Sequence, residues 1–180
     1  QLLVARKGKV IYNKNFGKHT YGKDSSPVTF SDVYDVASLT KILATLPLLM
    51  ELEENGTVTL DTKLSDILPD YLNSNKKDIT LKKMLSHNAR LKPWIPFYYA
   101  TLDSVTKHPD AKYYQKEFSN KFSVKVANKM YMRQDYQDTI QKIIKETDLL
   151  NKERYRYSDL PYYILKKYIE TYYDKGLDVL

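Results

Sequence analysis

Ser38 stands three residues before Lys41 in Val36-Ala37-Ser38-Leu39-Thr40-Lys41. On a helix, positions i and i+3 share a face. The lysine amine can then lie beside the serine hydroxyl and, when neutral or sharing its proton, help to remove the hydroxyl proton. A serine near a helix N-terminus also points its developing negative charge at unpaired backbone N–H groups. Together these describe a nucleophile that needs no histidine.

The spacing alone is weak evidence in a chain with 11 Ser and 24 Lys among 180 residues. Composition predicts about 1.5 such pairs by chance, and three occur: Ser38/Lys41, Ser74/Lys77 and Ser104/Lys107. Ser74 lies in a polar, turn-like cluster, and Ser104 lies just before His108-Pro109. Only Ser38 opens a segment with the character of a buried helix, through Ile42, Leu43, Leu46, Leu49, Met50 and Leu52. Context singles out Ser38.

Other chemistries find less support. The chain has no cysteine, which excludes disulfides, thiolate zinc sites and a cysteine nucleophile. Its three histidines, His19, His87 and His108, are not at metal-ligand spacing, so neither a metal nor a cofactor is expected. The net charge of +7 and 17 tyrosines invite a nucleic-acid reading. The basic residues are, however, interleaved with 22 Asp and Glu, which describes a solvated mixed surface, and no nucleic-acid partner is expected. No apolar run reaches the length of a membrane span.

The elements that must position these residues follow from pattern. Residues 2–12 read as strand, turn and strand around Lys7-Gly8. A helix is expected from about Ser38 to Glu54, stopped by Asn55-Gly56 and disturbed inside by Pro47. A short amphipathic turn lies between Leu60 and Pro69, and Thr80 caps a helix over residues 81–87. Residues 91–99, with Pro93 and Pro96, read as an ordered loop. Residues 107–136 show no usable period. Helices follow over residues 138–150 and from Pro161 until Gly176, the second with Ile164, Leu165, Tyr168, Ile169 and Tyr172 on one face.

With these stretches in order, the chain resembles the serine β-lactamase and penicillin-binding-protein superfamily, closest to its class C and esterase-like branch. The residues that carry the resemblance are Val36 to Lys41 for the nucleophile motif and Leu60-Asp61 to Leu72 for the stretch the family writes LDxxVxxYLP. Ile79 to Leu91 stands for its ITLRxLLSHTSGL, and Tyr157-Ser158-Asp159 for its Tyr-x-Asn. Tyr71-Leu72-Asn73 also spells the last motif, but only 33 residues past Ser38, whereas Tyr157 stands 119 past it, as the family's order requires. The resemblance implies that Ser38 forms an acyl-enzyme, that Lys41 eases its deprotonation, and that Tyr157 serves as general base and then general acid. Asp159 would face the substrate.

Three departures from the family pattern bear on this. Asp159 stands where the family has asparagine, so a group that only accepts hydrogen bonds replaces one that also donates. It would repel a β-lactam carboxylate and could instead anchor Lys41. Asn88-Ala89-Arg90 replaces Thr-Ser-Gly, so the turn after His87 has no glycine, and His87 itself is expected to be structural. No Lys/His-Thr/Ser-Gly motif follows Tyr157.

The expected fold is therefore α+β, of the β-lactamase/transpeptidase type. Residues 1–180 would form a partial serine hydrolase domain without the C-terminal strands: residues 1–35 a sheet hairpin and its loop, residues 36–180 a mainly helical region. Residues 91–99 are also similar to a stretch in β-lactamase-like domains that follow a family-three glycoside hydrolase domain in some bacterial envelope proteins. That implies fusion to such a domain, a periplasmic or envelope location and a small-molecule or cell-wall peptide substrate. Two functions stay open: a hydrolase acting on an ester, peptide or β-lactam through an acyl-enzyme, inactive or weak in this truncated form, and a non-catalytic module that binds a cell-wall ligand.

Overall fold

The computed structural model describes residues 1–180, in two units, Gln1–Leu39 and Thr40–Leu180. The first is built on an antiparallel hairpin of β1 (Leu2–Arg6) and β2 (Lys9–Lys14). The two residues between the strands, Lys7 and Gly8, have φ of 49° and 74°. A two-residue turn with both φ positive has the twist that matches paired strands, and glycine enters that region without steric cost. A bulge between Val4 and Ala5 shifts the register. Further on, His19 Nε2 meets Asp32 Oδ2 at 3.0 Å.

This unit ends in a tight turn. The N–H of Ala37 donates to Asp35 Oδ1 at 2.7 Å, and that of Leu39 to the Val36 carbonyl at 2.9 Å. Ala37 has a φ of 45°, a left-handed conformation that costs a residue with a Cβ about 1–2 kcal/mol. Ser38 follows it directly, one residue ahead of the first helical residues, 39 and 40.

The helix expected from Ser38 to Glu54 is not a regular α-helix throughout. Lys41–Thr45 form a wide π-turn, closed by the Leu46 N–H on the Lys41 carbonyl, and α1 (Leu46–Glu54) begins only there. Proline explains the difference. Pro47 has no N–H to give and its ring would strike the carbonyl four residues back, that of Leu43. A widened turn absorbs both defects and leaves Pro47 in the first turn of α1, where no donor is needed. The stop at Asn55-Gly56 is as expected. Gly56 has φ 77°, its N–H reaches the Glu53 carbonyl at 3.0 Å and that of Thr57 the Leu52 carbonyl at 2.9 Å, the paired bonds that close a helix around a left-handed glycine.

Four further helices face α1 across one core. The short α2 (Leu64–Ile67) and α3 (Leu81–Leu85) precede α4 (Tyr136–Glu146) and α5 (Leu160–Tyr173). Thr80 caps α3 by accepting the Lys83 N–H. Leu49, Leu52, Leu64, Leu81, Met84, Ile144, Leu160, Ile164, Leu165 and Ile169 are buried together. Each contributes about 1.5–3 kcal/mol of apolar burial.

The region 36–180 is less exclusively helical than the sequence suggests. Residues 107–136 hold a three-stranded antiparallel sheet of β3 (Tyr114–Gln115), β4 (Val124–Ala127) and β5 (Met130–Met132), with β5 in the middle. The ends of α4 and α5 also differ. The helix expected over residues 138–150 begins earlier and ends at Glu146, because Thr147 turns to extended backbone. The last helix is ended by Asp174, with φ 50°, ahead of Gly176. A wholly buried lysine supports the end of α4. Lys76 donates to Asn75 Oδ1 at 2.8 Å, to the Lys145 carbonyl at 3.0 Å and to the Thr147 carbonyl, supplying a cation where a helix leaves carbonyls unpaired.

Candidate active site

The second unit brings together Lys41, Tyr157 and Asp159. Lys41 comes from the π-turn, and the other two from the loop before α5. The Lys41 ammonium lies 2.7 Å from Asp159 Oδ1, shares a hydrogen bond with the Tyr157 side chain and sits 5.1 Å from the centre of the Tyr157 ring. Ser38 belongs to the first unit, in the turn after Ala37. Tyr71, in the rival Tyr-x-Asn stretch, is buried in the core and takes no part.

The loop that carries Tyr157 is held by the stretch that follows α3. The His87 carbonyl accepts the Arg156 N–H at 2.8 Å, and His87 Nδ1 accepts the Ser158 N–H at 3.2 Å. Ser158 is buried, its Oγ donating to the Lys92 carbonyl at 2.6 Å and accepting the Leu160 N–H at 3.2 Å. The Asp159 N–H reaches the Pro93 carbonyl at 2.8 Å. Four bonds thus fix residues 156–159 against residues 87–93. The Leu85-Ser86-His87 stretch and the Tyr-x-Asp loop, distant in sequence, form one device.

His87 has a structural part in it. A backbone N–H can only donate, so Nδ1 must accept and the proton of the neutral ring sits on Nε2. Burial pushes the imidazole below the usual histidine range, and the Lys41 charge pushes it further, with Asp159 opposing. Its ring lies 4.5 Å from that of Tyr157 and 6.0 Å from that of Tyr155. His87 and Arg90 both adopt left-handed backbone, with φ 57° and 59°. Arg90 does so where glycine would be at ease, and its Nε donates to the Leu150 carbonyl at 2.6 Å.

The electrostatics of Lys41 settle its resting charge. Burial alone would lower the ammonium, but the Asp159 carboxylate and Tyr157 override it and hold Lys41 above the usual lysine range. Lys41 is therefore a cation, and a cation cannot accept a proton. Asp159 spends one oxygen on that pair. Tyr162, in the first turn of α5, completes the surroundings with its ring centre 5.4 Å from the Lys41 ammonium. Tyr162, the Lys92 and Pro93 carbonyls and the hydroxyl of Ser158 are absent from the sequence reading. Only Tyr162 had a visible signal, an aromatic residue beside Pro161 at a helix start.

The family model described as Beta-lactamase matches residues 1–180. The octameric penicillin-binding protein homologue from Pyrococcus abyssi is similar with a TM-score of 0.63 at 19% identity, over 98% of this chain and 35% of that one. The class C beta lactamase from Rhodobacter sphaeroides gives 0.57 at 20% identity, over 97% of this chain and 39% of that one. Beta-lactamase-like protein 2 of Dictyostelium discoideum is 25% identical over 99 residues, 52% of this chain and 18% of that protein. The chain thus spans well under half the length of these relatives. Matched along its whole length and α+β like the solved relatives, the chain belongs to the beta-lactamase family.

Proposed function

We propose that this chain carries the nucleophile and proton-transfer half of a serine hydrolase that works through an acyl-enzyme on an ester, peptide or β-lactam acyl group. One observation carries the reading: Lys41, in the turn after Ser38 in sequence, and Tyr157, 116 residues later, are joined by a hydrogen bond and fixed by Asp159. Ser38 supplies the attacking oxygen and Tyr157, acting as the phenolate, takes its proton and returns it to the leaving group as the acyl-enzyme forms. Lys41, charged, stabilises the negative charge that passes between them. A cell-wall peptide substrate and an envelope location belong to the same reading and rest on the family resemblance. No helix is long and apolar enough to cross a membrane.

The Lys41–Asp159 pair also favours a second reading, a binding module in which the lysine is held charged and turnover is absent. A fluorophosphonate probe separates the two. On the first reading the intact protein gains the mass of the probe and Ser38→Ala does not; labelling of Ser38→Ala at an unchanged rate removes Ser38 from the role. Absence of labelling in the wild type, with labelling gained in Asp159→Asn, would support the second.

A further inference from the structure

The segment between α4 and α5 has two faces, and only one of them serves the candidate active site. Glu153 pairs with Lys83 at 2.8 Å. The rings of Tyr155 and Tyr157 turn to His87, and Asp159 turns to Lys41. The residues between them turn elsewhere. Lys152, Arg154 and Arg156 line a concavity of about 310 Å³ with Leu150 and Asn151. None of these three cations enters an ion pair or a side-chain hydrogen bond, and no carboxylate lines the concavity.

The arc is also anchored at both ends. Leu150 and Arg90 exchange bonds, the Leu150 N–H reaching the Arg90 carbonyl at 2.7 Å and Arg90 Nε the Leu150 carbonyl at 2.6 Å. At the other end the Arg156 N–H is held on the His87 carbonyl at 2.8 Å. A chain fixed in this way presents its cations without much further ordering on binding. Three like charges gathered around one hollow repel one another unless an anion joins them. Two guanidinium forks and an ammonium suit a tetrahedral dianion better than a single carboxylate, since each fork can take two oxygens.

We propose that Lys152, Arg154 and Arg156 form a binding site for a phosphate group, on the opposite face of the loop from Tyr157. The site does not depend on the hydrolase reading, because none of its side chains takes part in the acyl-transfer arrangement. The test is calorimetric titration and thermal melting of the intact protein with inorganic phosphate, against acetate and chloride at matched ionic strength. Phosphate is expected to raise the melting temperature where the other two do not. Arg154→Gln and Arg156→Gln are each expected to weaken phosphate binding roughly tenfold. Both side chains are exposed, so these variants fold, which far-UV circular dichroism checks. Stabilisation by chloride or acetate equal to that by phosphate overturns the proposal. So does phosphate binding of unchanged affinity in the Arg154→Gln/Arg156→Gln double variant.

Discussion

Replacing Lys76 with methionine tests the electrostatic reading of the core. Lys76 is wholly buried, with its ammonium on three oxygens. Burial pushes it down to about 8, with Asp148 opposing, while a lysine in the unfolded chain titrates near 10.4. Below about pH 8 both states hold the proton and there is no slope. Between about 8 and 10.4 the unfolded chain still holds it and the folded protein does not, so the unfolded state binds more protons and stability rises with pH. Above that range both are neutral. At 1.36 kcal/mol per unit, the gain is about 3 kcal/mol. Urea denaturation of wild type and Lys76→Met at intervals from pH 7 to 10.5 measures it, and taking the difference cancels tyrosine ionisation common to both. Wild type should gain about 3 kcal/mol on the variant across that range. Parallel profiles would refute the reasoning, whatever their vertical offset.

Two other perturbations probe the segment that holds Tyr157. Because His87 sits below the usual histidine range, its contribution is complete above about pH 6.5 and is lost as pH falls from there through the folded value. His87→Asn should flatten that acid limb of stability, read by thermal melting between pH 4 and 7. At Arg90, alanine keeps the left-handed backbone cost and loses the guanidinium bond, whereas glycine loses only the bond. Arg90→Ala should therefore be less stable than Arg90→Gly by about 1 kcal/mol, measured by chemical denaturation.

The parts of this fold that announce themselves in sequence are those whose local chemistry and long-range packing agree. Lys7-Gly8 between two apolar runs, Thr80 before α3 and Asn55-Gly56 after α1 each solve a backbone problem with their own residues. The apolar face of α5 repeats often enough to show its period. The sheet of residues 107–136 does not. β3 has two residues and β5 three, too few to display an alternation, and β4 is mostly exposed. The π-turn was hidden for another reason: Pro47 shows that something must yield, but several distortions would satisfy it. In the site, Lys41, Tyr157 and Asp159 were visible as residue types in the right order. The bonds from His87, Lys92 and Pro93 were not, since backbone carbonyls leave no mark on composition.

The π-turn has a consequence for the angular placement of Lys41. Such a turn is a helix carrying one residue more than its neighbours, and each residue of an α-helix advances the side chains by about 100°. Deleting a single residue between Ile42 and Thr45 would let the turn tighten while Leu49 and Leu52 kept their places in the core. The Lys41 ammonium would then swing by about 100° around the axis, away from Asp159 and Tyr157. The phase of this helix is thus set by one supernumerary residue, and a length change with little effect on packing would disconnect the lysine from its partners.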